Sequence, residues 1–145
     1  VLHTLRYLIG DDAFFRALHR MAYPTKEMER LTDGRQTRLV TTDDFVTIAE
    51  QESGMDLDWF FELYVRQPKL PKLIQETKYS GDTNGFYLKL HWETPNNMPF
   101  PMPIDVVIDG KKTRLEMKDG QNSIMPWSKD KILEVDPDGW VLKAQ

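Results

Sequence analysis

The hydrophobic period of this chain changes once, and the change falls on a pair of prolines. Residues 66–73 read RQPKLPKL. Each proline lacks a backbone donor and pushes its predecessor toward extended geometry, so Pro68 and Pro71 end whatever regular element precedes them. Before this stretch apolar residues recur at helical spacing, and after it they alternate. A chain with both periods, separated in this order, suits neither an all-helical bundle nor an all-β fold. It is expected to be α+β, with a helical segment over 1–66, a linker over 67–72 and an antiparallel β-sandwich over 73–145.

The helical part punctuates itself. Gly10 ends a first helical segment, as the residue most easily placed in the left-handed conformation. Asp11 and Asp12 open a second, whose apolar positions Phe14, Ala17, Leu18, Met21 and Ala22 share one side of the cylinder before Pro24 closes it. Residues 25–38 lose all period and read as a surface loop with room for one short helical turn. At residues 41–61, TTDDFVTIAEQESGMDLDWFF, two helix starts stand back to back. Thr41 and Asp44 have the spacing of a capping box, Val40 and Phe45 that of a hydrophobic staple, and Phe45, Ile48 and Ala49 mark the buried face. Gly54 stops this helix; Asp56 is the next cap candidate, Met55 and Phe60 its staple, and Leu57, Phe60, Phe61 and Tyr64 its stripe.

In the second part Phe86, Leu88, Leu90 and Trp92 alternate with Tyr87, Lys89, His91 and Glu93, and Leu115 and Met117 alternate with charged residues. Asp109-Gly110, Asp119-Gly120 and Asp138-Gly139 offer the positive φ that tight hairpin turns need. Six or seven strands are expected, with the proline-rich TPNNMPFPMP of residues 94–103 as an edge loop.

Composition then narrows the function. A net charge of −4 at pH 7 argues against nucleic acid or an anionic membrane as the main partner, and no apolar run is long enough to span a bilayer. The absence of cysteine removes disulfides, thiolate zinc sites and cysteine nucleophiles together. The opening VLHTLRYLIG has the grammar of a helix interior, without initiator Met, cap or signal peptide, so the sequence reads as a piece of a longer chain. Its apolar residues Val1, Leu2, Leu5, Tyr7, Leu8 and Ile9 surround nearly the whole helix, which implies burial in a larger domain and self-association or fraying when exposed.

Three stretches in this order, VLHTLRYLIGDDAFFRAL, TTDDFVTIAEQESGMDLDWFFELYVRQPKLPKL and the closing ILEVDPDGWVL, resemble the C-terminal part of the gluzincin zinc aminopeptidases, the family of aminopeptidase N and leukotriene hydrolase. The resemblance covers nearly the whole chain. It implies a parent whose thermolysin-like catalytic domain holds one zinc through a HExxH motif and a glutamate on the next helix. The motif glutamate would be general base, and a tyrosine before a Lys-Gly pair would stabilise the oxyanion. All of these would precede Val1. The implied partners are the upstream catalytic domain and, in the parent, a peptide substrate.

The residues present do not supply such a site. Two histidines on a helix reach one metal at i and i+4, and His3, His19 and His91 lack that spacing and the adjoining glutamate. His3 and His19, on neighbouring helices, leave an adventitious metal site as the alternative to ordinary surface positions, and His91 is expected on an exposed strand face. Asp43, Asp44, Asp56 and Asp58 suggest paired acid–base work, but their places at two helix starts are explained by amide capping. Asp136, Asp138 and Gly139 faintly resemble a calcium loop, interrupted by Pro137, and read as a turn that folds Trp140 back onto the sheet. Arg30, Arg35 and Arg38 form a basic loop offset by Glu27, Glu29 and Asp33, without interleaved aromatics. Ser53, Ser80, Ser123 and Ser128 lie in no nucleophile elbow. Trp59, Phe60, Phe61 and Tyr64 could line an apolar pocket; helical spacing favours core packing.

The expectation is therefore a structural C-terminal fragment of a zinc metallo-aminopeptidase, with no catalytic, substrate-binding or metal residue of its own. The alternative is a non-catalytic protein-interaction module on the same scaffold.

Overall fold

The computed structural model describes residues 1–81, 85–127 and 133–145, with Ser80 and residues 123–127 described by their backbone. Among the described residues the class is α+β: four α-helices precede two antiparallel three-stranded sheets, with no closed barrel. The chain forms two compact units, Leu2–Phe61 and Glu62–Gln145.

In the first unit, α1 spans Leu2–Ile9 and α2 spans Asp11–Ala22. Gly10 joins them at φ 82, a conformation that a side chain would strain. The Arg6 guanidinium grips Asp11 in a bidentate pair at 2.8 and 2.7 Å across this corner. Thr4, Leu5 and Leu8 are buried on α1, whereas Leu2 stays 51% exposed. On α2 the buried face is Ala13, Phe14 and Ala17. Leu18 and Ala22, expected on that face, lie exposed instead, because the packed stripe is centred nearer Ala13 than the apolar count suggests. Residues 25–38 contain the expected single turn, a 3₁₀ helix at Met28–Arg30.

Helix α3, Thr42–Ser53, starts on the capping box legible in the sequence. The Asp44 amide donates to Thr41 Oγ1 at 3.2 Å, and the Thr41 amide donates to Asp44 Oδ2 at 2.7 Å. Gly54 closes it in the left-handed region at φ 69. Its buried residues are Val46 and Ala49, with Phe45 and Ile48 only half-buried. Val40, the outer half of the expected staple, is 44% exposed. Helix α4, Asp58–Arg66, follows the tight corner. Within the first unit Phe45 meets Phe61 edge to face with centroids 6.1 Å apart, and Leu57 and Phe60 are fully buried.

In the second unit β1 (Lys72–Ser80), β2 (Gly85–Glu93) and β5 (Gln121–Trp127) form one sheet in the order β1-β2-β5. β4 (Lys111–Leu115), β3 (Ile104–Ile108) and β6 (Leu133–Val135) form the other, in the order β4-β3-β6. β1 and β2 pair from Lys72 opposite Glu93 to Ser80 opposite Gly85. Between β2 and β5 the register shifts past Phe86 and Leu88, where Pro126 has no amide hydrogen for the ladder. Leu88, Leu90 and Trp92 are buried as their alternation predicts, and Ile104 and Val106 are buried on β3.

The three Asp-Gly pairs of the second unit serve three purposes. Asp109-Gly110, at φ 50 and 76, joins β3 to β4 as a hairpin. Asp119-Gly120, at φ 51 and 73, carries the chain from one sheet to the other. Asp138-Gly139 lies beyond β6, where the Gly139 amide donates to the Asp136 carbonyl at 3.0 Å. The segment at 94–103 is more than an edge loop: Phe100 and Met102 are 2% and 0% exposed, so the prolines hold two apolar side chains inward while withholding donors from any ladder.

Candidate functional site

Among the described residues one group of three or more possible metal ligands converges: Glu50, Asp56 and Asp58, with oxygen atoms within 4.8 Å of one another. Helix α4 brings them together. Its first amides have no intrahelical acceptor, and carboxylates satisfy them. The Leu57 amide donates to Glu50 Oε1 at 2.9 Å, the Asp58 amide to Asp56 Oδ1 at 3.0 Å, and the Trp59 indole to the Asp56 carbonyl at 3.1 Å. Glu50 was hidden in the sequence because it sits late on α3 and reaches across Gly54 to the next helix. The cluster is thus a helix start held by two carboxylates, Glu50 and Asp56, each with one oxygen accepting a backbone amide.

Asp44 has the same task on α3, and the Thr41 amide, then its hydroxyl, hold its carboxyl below the usual carboxylate range. On the same helix Ser53 Oγ accepts from the Met55 amide at 3.2 Å, a C-terminal turn contact with no base beside it. Ser128 lies outside the described residues.

No histidine belongs to the group of Glu50, Asp56 and Asp58. His19 Nε2 stands 3.5 Å from Glu29 and its ring 5.5 Å from that of Tyr23. His3 is on α1, and His91 is on β2. The expected exposure of His91 is corrected: it is half-buried, and its Nδ1 is buried without a hydrogen-bond partner. Across the sheet it stands opposite Ile74 of β1 and Gln121 of β5.

A cleft of about 600 Å³ opens in the first unit beside α2, with Phe15, Arg16, His19, Arg20 and Tyr23 on one wall and Glu52 on the other. Glu52 is the centre of its charge. Arg16 Nε donates to it at 2.9 Å and Arg20 at 3.1 Å, and these two bonds hold its carboxyl below the usual range. Arg20 also donates to Gln51 Oε1 at 2.6 Å. These contacts tie α2 to α3, a pairing that no local spacing announces. In the basic loop, Arg35 bonds Asp33 at 2.6 Å and Arg38 donates to the Met21 carbonyl at 2.8 Å, so two of the three guanidiniums are committed within the unit.

The aromatics of α4 divide. Phe60 and Phe61 pack edge to face at 5.4 Å, and Tyr64 meets Phe100 at 5.6 Å, so these three serve the interior, while Trp59 is half-buried. At the other end of the chain, Asp136 has φ 51 and is buried. Its Oδ1 accepts from the Trp140 amide at 2.9 Å and its Oδ2 pairs with Lys143. Lys112 joins Asp138 and, at 3.1 Å, Asp105. Two lysine amines and the Trp140 amide take oxygens that a calcium ion would need, and the turn closes on the Trp140 amide.

The arrangement of helices and sheets has a counterpart. The crystal structure of Legionella pneumophila aminopeptidase A in complex with aspartic acid is similar, with a TM-score of 0.58 at 19% identity. The likeness covers 92% of this chain and 15% of that one, so the present chain spans a small part of its neighbour's length. No family model and no curated protein matches the sequence. At this identity the likeness speaks to fold.

A gluzincin zinc requires two imidazoles and a carboxylate on one point, and the donors here do not fit it. The converging group offers three carboxylates and no histidine, and two of the carboxylates already receive backbone amides.

Proposed function

We propose that this chain is the C-terminal portion of a zinc metallo-aminopeptidase of the gluzincin kind, and that its own role is structural. The observation that carries the reading is the likeness over 92% of this chain to 15% of an aminopeptidase, which is what a terminal piece of such an enzyme would give. The ordered stretches at 1–18, 41–73 and 132–142 support it from the sequence side. In this reading the strands make the sandwich behind the catalytic domain, and the zinc, the general base and the oxyanion tyrosine come from residues preceding Val1. The parent would remove N-terminal residues from peptides. Leu2, Phe15 and Met55, which are 51%, 52% and 39% exposed, would be covered by the preceding domain.

The test is to prepare this chain alone and the same chain extended through its upstream coding region, then measure zinc content and cleavage of aminoacyl anilides. The expected result is one zinc per chain and cleavage for the extended protein, with neither for the 145 residues alone, which should self-associate. Stoichiometric zinc and cleavage by the short chain, or an upstream region without HExxH, would overturn it.

A further inference from the structure

The second unit carries a groove of about 450 Å³ between segment 94–101 and the Asp119-Gly120 turn, and none of the preceding readings uses it. Its floor is aromatic. Trp92 and Phe100 stand edge to face at 5.2 Å, both nearly fully buried, and the Trp92 indole donates to the Met102 carbonyl at 2.9 Å. The walls are Met98, Pro99 and Pro101. Residue 120 is glycine because the turn holds it at φ 73, which side chains rarely adopt, and a Cβ there would lie in van der Waals range of the Phe100 carbonyl and Trp92.

Two polar side chains complete the lining. Asn97 and Asp119 both hold positive φ, 54 and 51, and both are exposed. Asp119 carries the groove's only charge, and neither side chain has a hydrogen-bond or ion-pair partner among the described residues. A groove walled by Met98 and two prolines therefore carries a carboxylate and an amide that are free to accept.

We propose that this groove binds the arginine side chain of a peptide. The aliphatic stem would lie against proline and the aromatic floor, and the planar guanidinium would meet the Asp119 carboxylate, which can accept two parallel N–H bonds. Asn97 supplies a further carbonyl acceptor. Pockets of a few hundred Å³ with few polar groups are the usual form of such sites, and the proline walls reduce the ordering cost of binding. The inference is independent of the peptidase reading, since it concerns only residues 92–120.

The experiment is an ¹⁵N NMR titration of the 145-residue chain with an acetylated, amidated Gly-Arg-Gly peptide, and with its norleucine counterpart. Saturable shifts confined to 92–101 and 117–120 are expected, with the norleucine peptide at least about tenfold weaker, a factor equal to about 1.4 kcal/mol. Asp119→Asn tolerates the same positive φ and should weaken arginine binding about tenfold with the amide spectrum otherwise preserved. No saturable shift at millimolar peptide, shifts elsewhere, or equal binding by the norleucine peptide or by Asp119→Asn would each overturn the proposal.

Discussion

The Tyr64 hydroxyl donates to the Leu142 carbonyl at 2.6 Å, fastening α4 to a residue 78 positions later. Within the second unit this bond joins an element formed early in the sequence to the chain's final turn. The ring around it is buried against Phe100, so the hydroxyl has exchanged water for one short bond.

Tyr64→Phe should destabilise the second unit by about 1–2 kcal/mol, because the hydrogen bond from the Tyr64 hydroxyl to the Leu142 carbonyl is lost. Burial first, and then the charge of Asp136, push the Tyr64 phenol well above its ordinary value. The neutral form is therefore favoured in the folded state, whereas the unfolded chain ionises near pH 10. Its contribution is complete below about pH 10 and is lost as pH rises beyond it toward the folded value. Urea unfolding between pH 8 and 11, followed by circular dichroism, should show a steeper alkaline loss for wild type than for Tyr64→Phe.

Thr41→Ala should cost about 1 kcal/mol, the usual worth of an N-cap side chain, and should loosen the start of α3. The partner carboxyl titrates in the opposite sense to Tyr64. Asp44 is held below its ordinary value by the Thr41 amide and hydroxyl, so its contribution is present above about pH 4 and fades as pH falls through the lowered folded value. Thermal melts at pH 7 and pH 3 check this. Asp44→Asn should lower the melting temperature at pH 7 and change it little at pH 3.

Asp136→Ala should destabilise the chain by about 2–4 kcal/mol, since it removes the carboxylate partner of Lys143 and one acceptor of the Trp140 amide. The lower part of the range for buried pairs applies, because the Lys143 side chain remains 27% exposed and water screens it. The double variant with Lys143→Met should recover part of the loss. Chemical denaturation of the four proteins of this cycle gives the coupling directly.

What the sequence displayed was whatever short-range chemistry decides. Thr41 and Asp44 are three residues apart, Gly54 ends a helix through its own φ, and Leu88, Leu90 and Trp92 follow the pleat, so each was legible without tertiary knowledge. The second kind of feature needs a partner from elsewhere. Glu52 is one more acidic residue on a helix until Arg16 and Arg20 arrive from α2, and Glu50 is unremarkable until α4 turns its amides toward it. The loop at 94–103 shows the same limit: proline predicted the missing ladder correctly, but the sequence did not show that Phe100 and Met102 are buried. The groove beside them was invisible for that reason, being built from a loop and a turn some twenty residues apart.

The strand orders β1-β2-β5 and β4-β3-β6 also govern the order of assembly during synthesis. Each sheet takes its third strand from residues beyond Gly120, so neither can be finished until residues 121–135 have left the ribosome. Until then β2 and β3 each offer an unclaimed ladder to any neighbour, and a premature stop after Gly120 would leave two open edges rather than one incomplete sheet.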